Sequence, residues 1–275
     1  MSDGAPLAGR SLAQVLAQPP LDPLETRILL GHALGLTRVQ LITRADQLLN
    51  ADDAALLQTL FERRLAGEPI AYLTGEREFY GLAFKVTPAV LIPRPDTELL
   101  VELACARLPR GGSVLDMGTG SGAIAVAIAH ARPDAQVSAL DASVEALAVA
   151  RLNAQRHGVQ VDFVQSDWYA GLAPRRFSMI VANPPYIVAG DRHLAEGDLR
   201  FEPVDALTDH ADGLSALRAI VGGAPEFLEP NGWLLMEHGY DQAAAVRELL
   251  REWDAVESWR DLAGIERVTG GTRRV

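Results

Sequence analysis

The sequence predicts an α/β fold, a doubly wound and mostly parallel sheet carried behind a small helical bundle and a β-hairpin. Three observations carry the prediction: helix signals fill the first seventy residues, the periodicity then changes over residues 70–93, and strand-like and helix-like segments alternate to the C-terminal region. "LDPLETRILLGHALGL" opens with Asp22 as N-cap, Pro23 at the first helical position and Glu25 three residues after the cap, a capping-box arrangement. "ADDAALLQTLFERRLAGEP" repeats the design, closed by Gly67 and Pro69. "EREFYGLAFKVTPAVLIP" is rich in aromatic and β-branched residues, with Gly81 between two candidate strands, and predicts the hairpin. Next come the strands "SVLDMG", "AQVSALDA", "VDFVQSD", "FSMIVANPPY" and "GWLLMEHG", separated or followed by helical patterns such as "GAIAVAIAHA" and "SVEALAVARLNAQRHG". The expected division is a helical substrate-docking part over 1–72, a hairpin connector over 73–93 and the α/β domain over 94–275.

Bulk properties narrow the function classes. The chain has 275 residues, 48% of them hydrophobic, which suits a globular protein with a substantial core. A net charge of −11 opposes a surface built to grip phosphates, so no direct nucleic-acid binding is expected and a protein partner fits better. The single Cys105 lies in the amphipathic pattern "ELLVELACARL" and reads as core in a reducing compartment. The opening "MSDGAPLAGR" lacks a leader pattern and no apolar run is long enough to span a bilayer, so a cytoplasmic protein without membrane contact, acting as a monomer, is expected. The six histidines show no ligand spacing and no metal site is expected.

In a doubly wound sheet, ligands sit outside the carboxyl ends of the strands where the strand order reverses, so the motifs at strand ends carry the function. "LDMGTGSGAIAV" ends the first of them. Gly118, Gly120 and Gly122 allow a tight turn and a close approach to a ligand, and Asp141 ends the next strand, placed to accept both hydroxyls of a ribose. With Ala123 the loop also satisfies the relaxed dinucleotide pattern G-x-G-x-x-A, which keeps a nicotinamide or flavin enzyme open. Asp116 before the loop argues on charge for a cationic cofactor over a diphosphate. The second motif, "VANPPYIV", leaves an apolar strand through an asparagine and two prolines. Two prolines end sheet pairing stiffly and hold Asn183 extended. The Asn183 side-chain oxygen and the Pro184 carbonyl can together hold the two N–H donors of a planar –NH₂ group, with Tyr186 packed on its face, whereas a carboxylate would face two acceptors.

The loop "LDMGTGSG" resembles the cofactor loop of class I S-adenosylmethionine-dependent methyltransferases, over roughly residues 94 to 275. The resemblance implies a seven-stranded Rossmann-like domain and S-adenosylmethionine as cofactor. It places the methionine part against residues 118 to 122, with Thr119 and Ser121 in the loop, the ribose on Asp141 and the adenine amine on Asp167 of "QSDWY", with Trp168 stacked over the adenine. "NPPY" in this fold resembles amino-methyltransferases acting on planar nitrogens, adenine-N6 enzymes among them. "YLTGEREFYGLAFKV", "LIPRPDTELLVE", "FEPVDALTDHADGL" and "DLAGIERVTGG" together look like the bacterial protein-(glutamine) methyltransferases that modify the Gly-Gly-Gln loop of class 1 peptide chain release factors. That resemblance implies transfer of a methyl group to a glutamine side-chain amide, with Asn183, Pro184, Pro185 and Tyr186 at the acceptor and Asn183 bordering the cofactor. It also implicates Arg94, Thr97 and Glu98 beside the site. A ribosomal-protein glutamine methyltransferase would share these motifs, and remains the alternative substrate class.

Overall fold

The central sheet has seven strands, in the order β5-β4-β3-β6-β7-β9-β8. They are β3 (Ser113–Met117), β4 (Gln136–Asp141), β5 (Asp162–Gln165), β6 (Phe177–Ala182), β7 (Leu228–Glu237), β8 (Asp254–Arg260) and β9 (Glu266–Thr272), and a separate hairpin pairs β1 (Glu76–Phe79) with β2 (Leu82–Lys85). The structure is a computed structural model that describes residues 7–274; the reading of the first residues as leader-free falls largely outside them. The chain divides into two units, Met1–Gly75 and Glu76–Val275.

The first unit is helical, with helices at Leu12–Ala17, Pro23–Leu34, Arg38–Thr43, Ala51–Leu65 and Ile70–Thr74. Local chemistry sets where they start. Ser11 with Gln14 and Thr37 with Gln40 form reciprocal capping boxes, and the Asn50 side chain accepts from Asp53 N–H. Asp22 caps the second helix by accepting from Leu24 N–H at 2.8 Å, with Pro23 at the first position. Glu25 does not close the expected box; its carboxylate binds the Arg64 guanidinium at 2.7 Å, a pair across two helices that outcompetes a local backbone bond. Leu12, Val15, Leu29, Leu30, Leu57 and Phe61 fill the core of the bundle.

In the second unit the hairpin begins at Glu76, later than the change of periodicity at 70 suggests, because Ile70–Thr74 completes a helical turn closed by Gly75. Tyr80 and Gly81 both have positive φ, 53° and 75°, as a two-residue turn matched to the twist of a hairpin requires. β3, β4, β5, β6 and β7 pair in parallel, and β9 and β8 add antiparallel at one edge. The sheet is covered on both faces. Val114, Met179, Val181 and Leu235 face one core with the helices Glu98–Arg107 and Ala123–Ala131, while Leu115, Met117, Ile180, Ala182, Leu234 and Met236 face the other with Ser215–Phe227 and Ala243–Leu249. Successive residues alternate between two apolar cores, which is why these strands read as continuous apolar runs. Among the described residues no helix is long and apolar enough to cross a membrane.

Candidate active site

Register brings the two sequence motifs together. Met117 lies opposite Leu140 of β4 on one side and Ala182 of β6 on the other, so the next residues, Gly118 and Asn183, leave the sheet side by side. β4 ends at Asp141, opposite Gln165 of β5, which is followed by Asp167 and Trp168. The strand order turns back between β3 and β6, and the carboxyl ends around that point form a cleft of about 620 Å³.

The loop after β3 is pinned to its neighbour strand. Gly118 and Thr119 N–H groups donate to the Leu140 carbonyl, and Gly120 N–H donates to Asp141 Oδ2 at 2.8 Å. Gly118 and Gly120 sit at φ 71° and 54°, where a side chain is strained, and a Cβ on either would meet nothing within 4 Å, because both border the cleft. Gly122 has another reason to be glycine: a Cβ there would meet Ala150 at 3.0 Å, so it lets two helices approach.

Asp141 accepts from Gly120 N–H on one oxygen and from Ser143 N–H on the other, at 2.8 and 2.9 Å. One lone pair remains on each oxygen for two further donors. Burial raises its pKa, and the backbone bonds pull it back toward the charged form. Asp141, Glu145, Asp167 and Asp205 line the cleft with no lysine or arginine among its lining residues. That acid-lined wall opposes a diphosphate and suits a ligand that carries a diol and a cationic end, as S-adenosylmethionine does. Trp168 borders the same space with φ 45°, a conformation uncommon for a bulky residue.

Asp116 does not line the cleft. Its carboxylate lies fully buried beneath the loop, where Oδ2 accepts from the Thr119 hydroxyl at 2.6 Å and from Ala125 N–H at 3.2 Å while Oδ1 has no partner among the described residues. It therefore shapes the loop from below. Burial pushes its pKa up to about 7, with the nearby Asp141 adding to the shift. The folded chain keeps this proton across the interval from 3.8 to about 7 in which the unfolded chain has lost it, so stability falls as pH rises through that interval. Asp116→Asn is expected to remove this part of the slope: between pH 4 and pH 8 the wild type should lose on the order of 4 kcal/mol more than the variant. Urea midpoints measured across that range check it, and parallel curves would exclude the shift.

Asn183 and Pro185 line the cleft. Asn183 Nδ2 donates to Thr97 Oγ1 at 3.1 Å, which turns the amide oxygen away from Thr97. The Tyr186 hydroxyl donates to Glu237 Oε1 at 3.2 Å, and the Tyr186 carbonyl accepts from Gln242 Nε2 at 3.0 Å. Burial and the adjacent Glu237 raise the Tyr186 pKa, so it stays a neutral phenol. Arg94 pairs with the buried carboxylate of Glu202, whose other oxygen accepts from Ile92 N–H at 2.9 Å. Glu202 thus staples the "LIPRP" segment to the "FEP" segment, and Leu91 and Pro203 from these segments line the cleft.

The structure brings Gly118, Gly120, Asp141, Asp167, Trp168, Asn183 and Pro185 to one cleft. Thr119, Ser121 and Gly122 turn into the loop and its helix, Glu98 accepts from Tyr80 N–H at 2.9 Å in the hairpin, and Thr97 stands behind Asn183. Glu145, Asp205 and Glu237 were not singled out as site residues by the sequence, although Asp205 lies within "FEPVDALTDHADGL". Their local patterns are those of a helix start, a short helical turn and a strand end, and only the tertiary fold brings Glu145 and Asp205 to the cleft and Glu237 to the Tyr186 hydroxyl.

The matches to known proteins agree with this architecture. The "Methyltransferase small domain" family model matches residues 95–197 and the "PrmC N-terminal domain" model matches residues 8–75. A solved 16S rRNA N2 G1207 methyltransferase from T. thermophilus, in complex with AdoMet and guanosine, superposes with a TM-score of 0.55 over 72% of this chain and 50% of that one; at 21% identity it shows the fold. The release factor glutamine methyltransferase of Burkholderia pseudomallei is 59% identical over 94% of this chain and 95% of its own length, and that of Bordetella pertussis 55% over 94% and 98%. With such identity over nearly its whole length, the chain belongs to the release factor glutamine methyltransferase family.

Proposed function

We propose that this protein transfers a methyl group from S-adenosylmethionine to the side-chain amide nitrogen of the Gly-Gly-Gln glutamine in class 1 peptide chain release factors. The observation that carries the reading of the site is the orientation of Asn183: its N–H end is taken by Thr97, which leaves its oxygen as an acceptor at the cleft beside Gly118. When bound, the cofactor supplies a methyl group on a positively charged sulfur and leaves as neutral S-adenosylhomocysteine. Gly118, Gly120, Asp141, Asp167 and Trp168 would hold it.

The amide nitrogen is a poor nucleophile because its lone pair is delocalised into the carbonyl. Asn183 Oδ1 and the Pro184 carbonyl hold its two N–H groups, draw electron density toward nitrogen and fix its line of attack, which replaces an encounter by a positioned reaction. Tyr186, held by Glu237 and Gln242, packs against the planar group. One proton leaves the nitrogen for water as the new N–C bond forms. A glutamate in place of the glutamine would set its oxygens against two acceptors, with ~1 to 3 kcal/mol lost per unpaired group and more for a charged one.

The test is incubation of intact release factor with isotopically labelled cofactor and localisation of the label by mass spectrometry. One labelled methyl group on the Gly-Gly-Gln glutamine is expected, and none on a release factor carrying glutamate there. Labelling of ribosomal protein or nucleic acid instead would overturn the assignment.

A further inference from the structure

β6 ends at Ala182, and the chain then runs through Asn183 and two prolines that have no N–H with which to bond a neighbour. Something beyond the prolines has to fix its course. Ile187 N–H donates to the Leu207 carbonyl at 3.0 Å and Ala189 N–H to the Ala211 carbonyl at 2.9 Å, so the segment after the motif lies along the second half of "FEPVDALTDHADGL". That half is closed into a knot by Asp209, whose carboxylate accepts from the N–H groups of Ala211, Gly213 and Ser215 and from the Ser215 hydroxyl, at 2.7 to 3.0 Å. Gln242 joins the two. Its Nε2 donates to the Tyr186 carbonyl at 3.0 Å and to the Gly213 carbonyl at 3.1 Å, and its Oε1 accepts from Gly239 N–H at 2.8 Å. A backbone N–H only donates and a carbonyl only accepts, so this amide has one orientation. Gly213 sits at φ 78°, and a Cβ there would meet the Tyr186 carbonyl at 2.6 Å and Gln242 Nε2 at 2.8 Å, so no larger residue leaves room for the clasp. Gln242 stands at the N-cap of the helix Ala243–Leu249, yet its side chain makes no cap bond there. A side chain at that position ordinarily serves its own helix; this one reaches from the end of β7 to the exit of the neighbouring β6.

We propose that Gln242 is a positioning residue for the methyl acceptor: by holding the carbonyls of Tyr186 and Gly213 together it fixes the path of the chain after β6, and with it the direction in which Asn183 Oδ1 and the Pro184 carbonyl meet the substrate amide. The prolines make the link stiff, because a fixed φ at 184 and 185 carries an anchor at Tyr186 back to Asn183. Thr97 bonds the Asn183 side chain at one end of this short segment, and Gln242 secures the other end. Alignment is what the site supplies to a poor nucleophile, and a misplacement of about 1 Å at such a motif can cost about 10²-fold in rate. The turn knotted by Asp209 is the fixed point to which the segment is tied. The inference rests on Asn183 and Pro184 being the groups that accept from the substrate amide.

Gln242→Met keeps the length of the side chain and removes its three hydrogen bonds, whereas Gln242→Glu keeps the shape and sets a carboxylate oxygen against two carbonyls. kcat for release-factor methylation is expected to fall about tenfold in Gln242→Met and further in Gln242→Glu, while the S-adenosylhomocysteine dissociation constant stays within about threefold of wild type in both. Hydrogen exchange should quicken at the Ile187 and Ala189 amides and stay slow within β6. The loss in Gln242→Met should not multiply with that of Asn183→Ala, since both act on one acceptor. A Gln242→Met enzyme with wild-type kcat would overturn the proposal, as would a loss that multiplies in full with that of Asn183→Ala or that tracks a loss of cofactor affinity. Should either variant fail to fold, Gly213→Ala, which wedges a Cβ between the Tyr186 carbonyl and Gln242, decides the same link: kcat and protection at Ile187 should fall together, and wild-type values of both would overturn it. Full activity in an Asn183→Ala enzyme would instead remove the reading of the site on which the inference rests, whereas an impaired Asn183→Ala beside a fully active Gln242→Met removes the inference alone.

Discussion

Asn183→Ala is expected to lower kcat by about 10²- to 10³-fold, the loss typical of removing one preorganised hydrogen-bonding group that acts on the reacting centre. The dissociation constant for S-adenosylhomocysteine should change less than about threefold, because the residues proposed to hold the ribose and the adenine, Asp141 and Asp167, lie across the cleft at the end of β4 and after β5. The variant removes one hydrogen bond, from Asn183 Nδ2 to Thr97 Oγ1, and leaves the buried strand β6 intact, so the fold should stand. Steady-state methylation and calorimetric titration of the product measure the two quantities separately. Equal losses in both would mean that Asn183 serves the cofactor and not the acceptor.

Asp141→Ala should show the reverse division, raising the cofactor dissociation constant about 100-fold, as two charge-assisted hydrogen bonds to a diol are lost. The variant also loses both backbone anchors, from Gly120 and from Ser143, so the glycine loop is released along with the ribose. Asp141→Asn separates the contributions: its remaining oxygen can still bind one loop N–H, and its affinity should fall between wild type and alanine. An unchanged dissociation constant in Asp141→Ala would refute the role.

The parallel core was readable because its strands are unbroken apolar runs, each followed by a helical pattern, and because the motifs that matter stand one residue beyond strand ends, where glycine, aspartate and proline interrupt those runs. β8 and β9 were not located from the residues. "DAVESWR" and "ERVTGGT" form the antiparallel edge, where half-exposed positions and two glycines blur the alternation that marks a strand. Gly270 is legible only in three dimensions, where a Cβ would run into the Leu234 carbonyl. The same limit applies to the site. The glycines, Asp141 and Asn183 announce themselves by spacing, whereas Asp116 looks like a ligand-facing acid in sequence and lies beneath the loop, and Glu237 looks like an ordinary strand end. Burial decides both, and burial is a property of the packed chain.

The place where the sheet order turns back has a further meaning. Everything that would hold the donor hangs from β3, β4 and β5, and the group that would hold the acceptor leaves from β6, on the other side of a single seam. A descendant of this architecture can trade one recipient for another by rewriting a few residues after β6 and leave its methyl supply intact. An RNA-modifying enzyme that shares this scaffold at 21% identity is what such modularity would be expected to produce.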